Sequence, residues 1–342
     1  MTERLEDIAI AMVADGKGIL AADESTSTIA KRFTQIGVEN TFEARRDYRE
    51  MLFRATDAMS SFISGVILFD ETIRQKAVDG TPLVEIMKAA GSIPGIKVDT
   101  GAKAQAGAPG ETITEGLDGL RERFQEYYGL GARFAKWRAV IDIAEGRPTY
   151  NSILANAQAL ARYAALAQEN GIVPIVEPEV LMDAAHSVHD ADTCYKVTEM
   201  TLKIVFEQLY IAGVNLEGIV LKPNMIVAGK HSAKQASPEE VAEKTVKVLK
   251  ACVPPAVPGI AFLSGGQSDE LATYHLSLMN QAVLPWKLTY SYGRALQQAA
   301  LKAWSGKTEN VPAAQAAFYN RAKLNSLAAL GKYEPALEKV AA

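Results

Sequence analysis

Cysteine is scarce: Cys194 and Cys252 are the only two in 342 residues. So sparse a set builds no disulfide framework and fits a reducing compartment. Histidine is nearly as rare. Of His186, His189, His231 and His275, the first two have i,i+3 spacing, but neither stands at a predicted strand end. The sequence therefore offers no clustered metal-ligand set. No apolar run approaches the length of a membrane span. Neither sign of charge prevails: 36 Lys and Arg face 40 Asp and Glu, a net of −4. Overall charge thus gives no reason to expect nucleic acid or an anionic membrane as partner, and any anion site must be local. The opening stretch MTERLEDIAIAMVADGKG is acidic and poor in arginine, unlike a signal or transit peptide, and its apolar spacing predicts an amphipathic helix. A cytoplasmic location is expected, with the same features open to a processed plastid form. A G-x-G-x-x-G turn after the first strand, the mark of an open dinucleotide-binding sheet, is also missing.

What is present is alternation. Hydrophobic residues make up 48% and charged residues 22%, an ordinary globular balance. Eight short apolar segments predict buried strands: GILAAD (18–23), SGVILFD (64–70), PGIKVD (94–99), ARFAKWR (132–138), IVPIVEPE (172–179), EGIVLK (217–222), IAFLSGG (260–266) and LTYSYGR (288–294). Helical spacing fills the intervals. Residues 42–59 carry apolar positions at steps of three and four, and 151–170 are rich in alanine. Residues 237–252 begin with Ser237, Pro238 and Glu240 in the pattern of a capping box. Residues 268–283 begin similarly on Ser268. Eight strand–helix units predict an α/β fold, a closed (β/α)8 TIM barrel with parallel strands and right-handed crossovers. Nothing marks a second domain. The barrel is expected over about 18–305, preceded by the N-terminal helix and followed by a helical extension over about 306–342.

Charged residues collect where the predicted strands end. Asp23 closes the first strand, Lys97 and Asp99 the third, Lys136 and Arg138 the fourth, Glu177 and Glu179 the fifth, and Lys222 the sixth. Pairs two apart point to one side of a strand, and the C-terminal strand ends form the mouth of a barrel. A solvated rim residue accounts for any one such charge; five strands with complementary signs favour convergence on a pocket. A lysine ending a buried run, among other lysines, is a candidate amine nucleophile, and a nearby carboxylate can carry its protons. This inventory suits an imine-forming lyase better than hydride transfer or metal-dependent hydrolysis. After the seventh and eighth strands, Ser264-Gly265-Gly266 and Ser291-Tyr292-Gly293-Arg294 offer backbone N–H groups, hydroxyls and a guanidinium where this architecture often binds phosphate; two glycine turns beside a helix start are the plainer alternative. Lys31 and Arg32, with Ser25 and Thr28, form a second basic cluster that a solvated helix start explains equally well.

Taken together, GILAADEST, GIKVDTG, FAKWR, GIVPIVEPE, LKPNM, FLSGGQS and SYGRALQ resemble the class I fructose-1,6-bisphosphate aldolases. The likeness runs in order from the N-terminal helix to about Tyr333. Each motif is short; the set is specific. The resemblance implies that Lys222 forms a Schiff base with the substrate ketone. It implies that Glu177 is the principal proton carrier, supported by Glu179, that Lys136 assists carbinolamine chemistry with Arg138 beside it, and that Asp23 is the catalytic aspartate near the C4 hydroxyl, which loses its proton on cleavage. It assigns Ser264, Gly265, Gly266, Ser291, Gly293 and Arg294 to the phosphate of the dihydroxyacetone half, and Ser25, Thr28, Lys31, Arg32 and Lys97 to the other phosphate. It implies reversible cleavage of fructose 1,6-bisphosphate to dihydroxyacetone phosphate and glyceraldehyde 3-phosphate in glycolysis and gluconeogenesis. It further implies a homotetramer that needs neither metal nor cofactor. Another barrel aldolase acting on a seven-carbon bisphosphate, or a catalytically silent scaffold, would share the same fold. Two departures stand out. The chain ends EKVAA, where many relatives carry a terminal tyrosine that assists late proton transfer, and Thr100 follows Asp99, where many have lysine.

Overall fold

The computed structural model describes residues 3–339. Eight parallel strands close into a barrel in the order β1-β10-β9-β8-β7-β6-β3-β2. These are β1 (Gly18–Ala22), β2 (Ile63–Leu68), β3 (Ile93–Lys97), β6 (Phe134–Ile141), β7 (Val173–Val180), β8 (Val220–Leu221), β9 (Gly259–Phe262) and β10 (Lys287–Tyr292). Each falls on one of the eight predicted segments, and the expected TIM barrel is the fold observed. The remaining two strands, β4 (Gly101–Ala104) and β5 (Thr112–Glu115), form an antiparallel hairpin that the sequence reading does not contain. They are four residues each and poor in large apolar residues, so they carry no periodicity to detect.

The barrel interior is filled by complementary sizes. Phe134 points inward, and a Cβ placed on Gly95 would lie 2.2 Å from its ring. A larger residue at 95 and phenylalanine at 134 exclude each other in so close-packed a space. The inner layer of Ile19, Ala21, Ile67, Phe134, Val173, Ile175, Val220 and Ala261 is continuous with Ile8, Ala9, Met12 and Val13. The predicted amphipathic helix, Leu5–Met12, thus closes the end of the barrel opposite the strand C-termini. The outer core lies between the strands and the surrounding helices.

Local capping follows the sequence. Ser237 Oγ accepts the Glu240 N–H at 3.2 Å, with Pro238 opening the helix Pro238–Cys252. The Glu240 carboxylate turns to Lys244 at 2.8 Å rather than completing the capping box. Ser268 and Thr149 cap Asp269–Met279 and Tyr150–Glu169 in the same way. Such caps contribute about 1 kcal/mol each. Three expectations need correction. The helical stretch 42–59 is two helices, Phe42–Phe53 and Thr56–Phe62. The chain turns at Arg54, whose guanidinium is drawn to Glu50 and Asp79 while its carbonyl accepts the Thr56 N–H. The helix predicted to reach 283 ends at Met279, because the Asn280 side chain donates to the carbonyls of Leu276, Leu288 and Ala328. The sixth strand shrinks to Val220–Leu221, because Asn215 caps a 3₁₀ turn at Leu216–Gly218 where the strand was expected to begin. The extension contains the helix Val311–Ala329, packed on Arg294–Trp304 and Asp269–Met279. The last residues assigned to that extension, 340–342, lie outside the described residues.

Candidate active site

The parallel register brings the charged strand ends together. Across β6 and β7, Lys136 pairs with Ile175, Arg138 with Glu177 and Val140 with Glu179. Across β7 and β8, Val176 pairs with Leu221, which sets Lys222 beside Glu177. Across β3 and β6, Lys97 stands directly opposite Lys136. Side chains two apart share a face, so Lys136, Glu177 and Lys222 meet at the mouth of the barrel.

The cluster is buried and paired. Lys222, Glu177 and Lys136 are 4%, 3% and 4% exposed, which makes their polar contacts decisive. Lys222 Nζ lies 3.1 Å from Glu177 Oε1. Lys136 Nζ lies 3.5 Å from Glu177 Oε2, 2.8 Å from Asp23 Oδ2 and 4.0 Å from Asp99 Oδ2. Lys97 Nζ is bound to Asp99 Oδ1 at 2.7 Å, and Arg138 Nε donates to Glu179. Buried ions persist only with partners of opposite sign; here cations and carboxylates alternate across the pocket.

The charges fix protonation states. Burial alone would raise the Asp23 carboxyl, but the ammonium groups of Lys136, Lys222 and Lys97 outweigh it and hold Asp23 down at about 2. Burial would conversely lower Lys136, but Asp23, Glu177 and Asp99 raise it, so Lys136 stays protonated. The Glu179 carboxylate raises Arg138 in the same way, against burial. The crowding of lysines thus does not make Lys136 neutral; its three carboxylate neighbours prevent that.

A cleft of about 410 Å³ opens at the mouth, lined by Asp23, Ser25, Thr28, Arg32, Lys97, Lys136, Arg138 and Gly293 among others. It therefore gathers most of the second basic cluster beside the catalytic candidates. Lys31 is exposed and is not part of that lining. Ser25 Oγ lies 3.0 Å from Thr28 Oγ1 and caps the helix Thr26–Thr34. Ser264, Gly265 and Gly266 follow β9, Ser291 lies within β10, and Gly293 and Arg294 follow it. Ser291 Oγ is buried with no hydrogen-bond partner among the described residues. Arg294 is exposed and reaches Asp183, which packs against Gly266, at 3.2 Å.

Four residues of the site escaped the sequence reading of roles. Asp99 accepts the Gly101 N–H at 3.1 Å and the Arg138 N–H at 3.3 Å, tying β3, β6 and the hairpin together. Its position two after Lys97 was the available signal. Glu24 is buried beside Asp23 and binds Arg32, while Gln297 Nε2 donates to it at 3.0 Å; two adjacent acids after a buried strand were its signal. Asp183 sits in the loop after β7, against Gly266 and Arg294, and nothing in its sequence surroundings marks it. Asn224 is buried behind Lys222; its Oδ1 accepts the Val180 N–H at 3.0 Å and its Nδ2 donates to Thr198 Oγ1 at 3.1 Å. It links the ends of β7 and β8, and an asparagine after Lys-Pro was the only hint.

Among the described residues, no group of three or more His, Cys, Asp or Glu is arranged to hold a metal ion. His186 pairs with Asp142 at 2.8 Å and His275 with Gln267 at 2.6 Å. No described helix is long and apolar enough to cross a membrane.

Comparison with known proteins bears on this geometry. The family model described as fructose-bisphosphate aldolase class-I matches residues 4–342. The protein named probable fructose-bisphosphate aldolase class 1 from Xanthomonas axonopodis is 60% identical over 334 residues, 97% of this chain and 99% of that protein. Fructose-bisphosphate aldolase 5, cytosolic, from Arabidopsis thaliana is 57% identical over 320 residues, 93% of this chain and 88% of that one. A solved structure of the fructose-bisphosphate aldolase from Plasmodium falciparum superposes with a TM-score of 0.94 at 50% identity, covering 96% of this chain and 95% of that one. By sequence along nearly its whole length and by its fold, the chain belongs to the class I fructose-bisphosphate aldolase family.

Proposed function

We propose that the chain cleaves fructose 1,6-bisphosphate reversibly to dihydroxyacetone phosphate and glyceraldehyde 3-phosphate through an imine on Lys222, as an enzyme of glycolysis and gluconeogenesis. The observation that carries this reading is the buried triad in which Glu177 offers one oxygen to Lys222 and the other to Lys136. Glu177 Oε1 accepts a proton from Lys222, and the free amine attacks the C2 ketone. Glu177 returns a proton to the carbinolamine hydroxyl, which leaves as water. The resulting iminium draws the electrons of the C3–C4 bond as Asp23 takes the C4 hydroxyl proton. Glyceraldehyde 3-phosphate departs, the enamine is protonated at C3, and hydrolysis frees dihydroxyacetone phosphate and Lys222.

Lys136 remains cationic and keeps Asp23 ionised for that proton. Glu179, engaged by Arg138, keeps negative charge near Glu177 without transferring a proton. The phosphate of the ketone half binds Ser264, Gly265, Gly266, Ser291, Gly293 and Arg294. The other phosphate binds Ser25, Thr28, Lys31, Arg32 and Lys97. No metal or cofactor takes part in these steps. The barrel and its C-terminal extension act as one domain, and the protein works as a cytoplasmic homotetramer; both the assembly and the location are carried over from the family.

Borohydride reduction with dihydroxyacetone phosphate, followed by peptide mass spectrometry, tests the proposal. A reduced adduct on Lys222 is expected. An adduct on another lysine would move the reaction centre, and none on any lysine would leave the family fold without its chemistry.

A further inference from the structure

The glycine turn after β9 stands on a polar bracket that the reaction steps do not use. Gly265 and Gly266 adopt φ values of +24° and +30°. A Cβ at Gly266 would lie 2.6 Å from Asp183 Cβ, and one at Gly265 would lie 2.8 Å from Leu263 Cδ1. No bulkier residue could stiffen the turn. A cavity of about 260 Å³, lined by Gly266, Gln267, Lys230, Leu271 and His275 among others, lies against it, so packing does not brace that side.

Polar contacts do the bracing. Gln267 Nε2 donates to the Ser264 carbonyl at 3.0 Å, and the Gln267 backbone N–H, which lies nearest the Gly265 carbonyl, reaches the Ser264 oxygen at 3.3 Å. Nε2 also lies 3.7 Å from Met225 Sδ, in the segment that follows Lys222. Gln267 Oε1 is 2.6 Å from His275 Nδ1. Because Nε2 faces a carbonyl, the amide can sit only one way round, and Nδ1 must carry the hydrogen. Burial pushes His275 down to about 4, so this neutral tautomer persists through neutral pH.

We propose that Gln267 and His275 are positioning residues: the chain His275–Gln267–Ser264 fixes the glycine turn and so sets affinity for the phosphate of the ketone half. The proposal rests on reading Ser264–Gly266 as that phosphate subsite. Neither side chain need touch substrate. Without the bracket the turn can sag toward the cavity, while Lys222, held separately by β8 and Glu177, keeps its chemistry.

The test compares the full-length protein with Gln267→Leu, His275→Phe and His275→Asn. Calorimetry measures Kd for dihydroxyacetone phosphate, and borohydride trapping measures adduct on Lys222 at saturation. Loss of one or two neutral hydrogen bonds predicts a Kd about 5- to 10-fold higher in Gln267→Leu and His275→Phe. The saturated adduct is expected to be unchanged. His275→Asn, whose amide can donate in place of Nδ1–H, should return to within about twofold of the original by the same reasoning. If His275→Phe does not fold, the part-exposed Gln267→Leu carries the comparison. An unchanged Kd in Gln267→Leu, with adduct still formed, overturns the bracket and leaves the subsite reading intact. Loss of adduct at saturation overturns a role confined to positioning. An unsubstituted protein that does not bind dihydroxyacetone phosphate overturns both readings.

Discussion

Lys222 Nζ and Glu177 Oε1 are 3.1 Å apart, both buried, at adjacent strand ends. In the proposed reaction, a carboxylate there is close enough to receive the proton that the amine loses before attack, and enclosed enough to keep it from water. Removing either partner should therefore have distinct effects.

Lys222→Met should abolish the borohydride adduct with dihydroxyacetone phosphate and lower kcat by at least about 10⁴-fold, since no other described amine occupies that strand end. Peptide mapping of the reduced protein checks this. Retention of adduct would mean that Lys136 or Lys97 is the nucleophile.

Glu177→Gln keeps the shape and removes the proton carrier. A fall in kcat of about 10²- to 10³-fold with KM within about threefold is expected. Steady-state kinetics with fructose 1,6-bisphosphate would expose a pure loss of affinity, which contradicts the acid–base role.

Asp23→Asn should block carbon–carbon cleavage while sparing adduct formation with dihydroxyacetone phosphate, which has no C3–C4 bond to break. It should also alter acid stability. Asp23 titrates at about 2 in the folded protein against an ordinary 3.8. A depressed carboxylate stabilises the fold above its unfolded value, and that stabilisation fades as pH falls through the folded one. The stability gap between the original and Asp23→Asn should therefore be largest above pH 4 and shrink toward pH 2. Denaturant melts across that range provide the measurement, and a constant gap would contradict the pairing with Lys136.

Asp183→Asn should free Arg294 from its exposed ion pair. Such pairs contribute about 0–1 kcal/mol, so KM for fructose 1,6-bisphosphate should fall by no more than about fivefold, with kcat unchanged. A rise in KM would show that Asp183 holds Arg294 in a useful orientation rather than competing with phosphate.

The sequence determined the barrel because burial imposes its own punctuation. Segments such as GIVPIVEPE are apolar on both faces, as strands covered on both sides must be, and their charged ends fall where the barrel opens. The clustered ions Lys136, Glu177 and Lys222 were legible for that reason: an ion closing a buried run is conspicuous. The hairpin Gly101–Glu115 was not, since strands of four residues with no large apolar face leave no pattern. Nor could the chain alone reveal which ion faces which. Asp183 against Arg294, Asn224 across the ends of β7 and β8, and His275 behind Gln267 join segments distant in sequence. Their pairing depends on strand register and loop path, which distance along the chain does not encode. Local composition sets where strands and caps form; the closed sheet decides which buried charges meet, and so which lysine stays protonated.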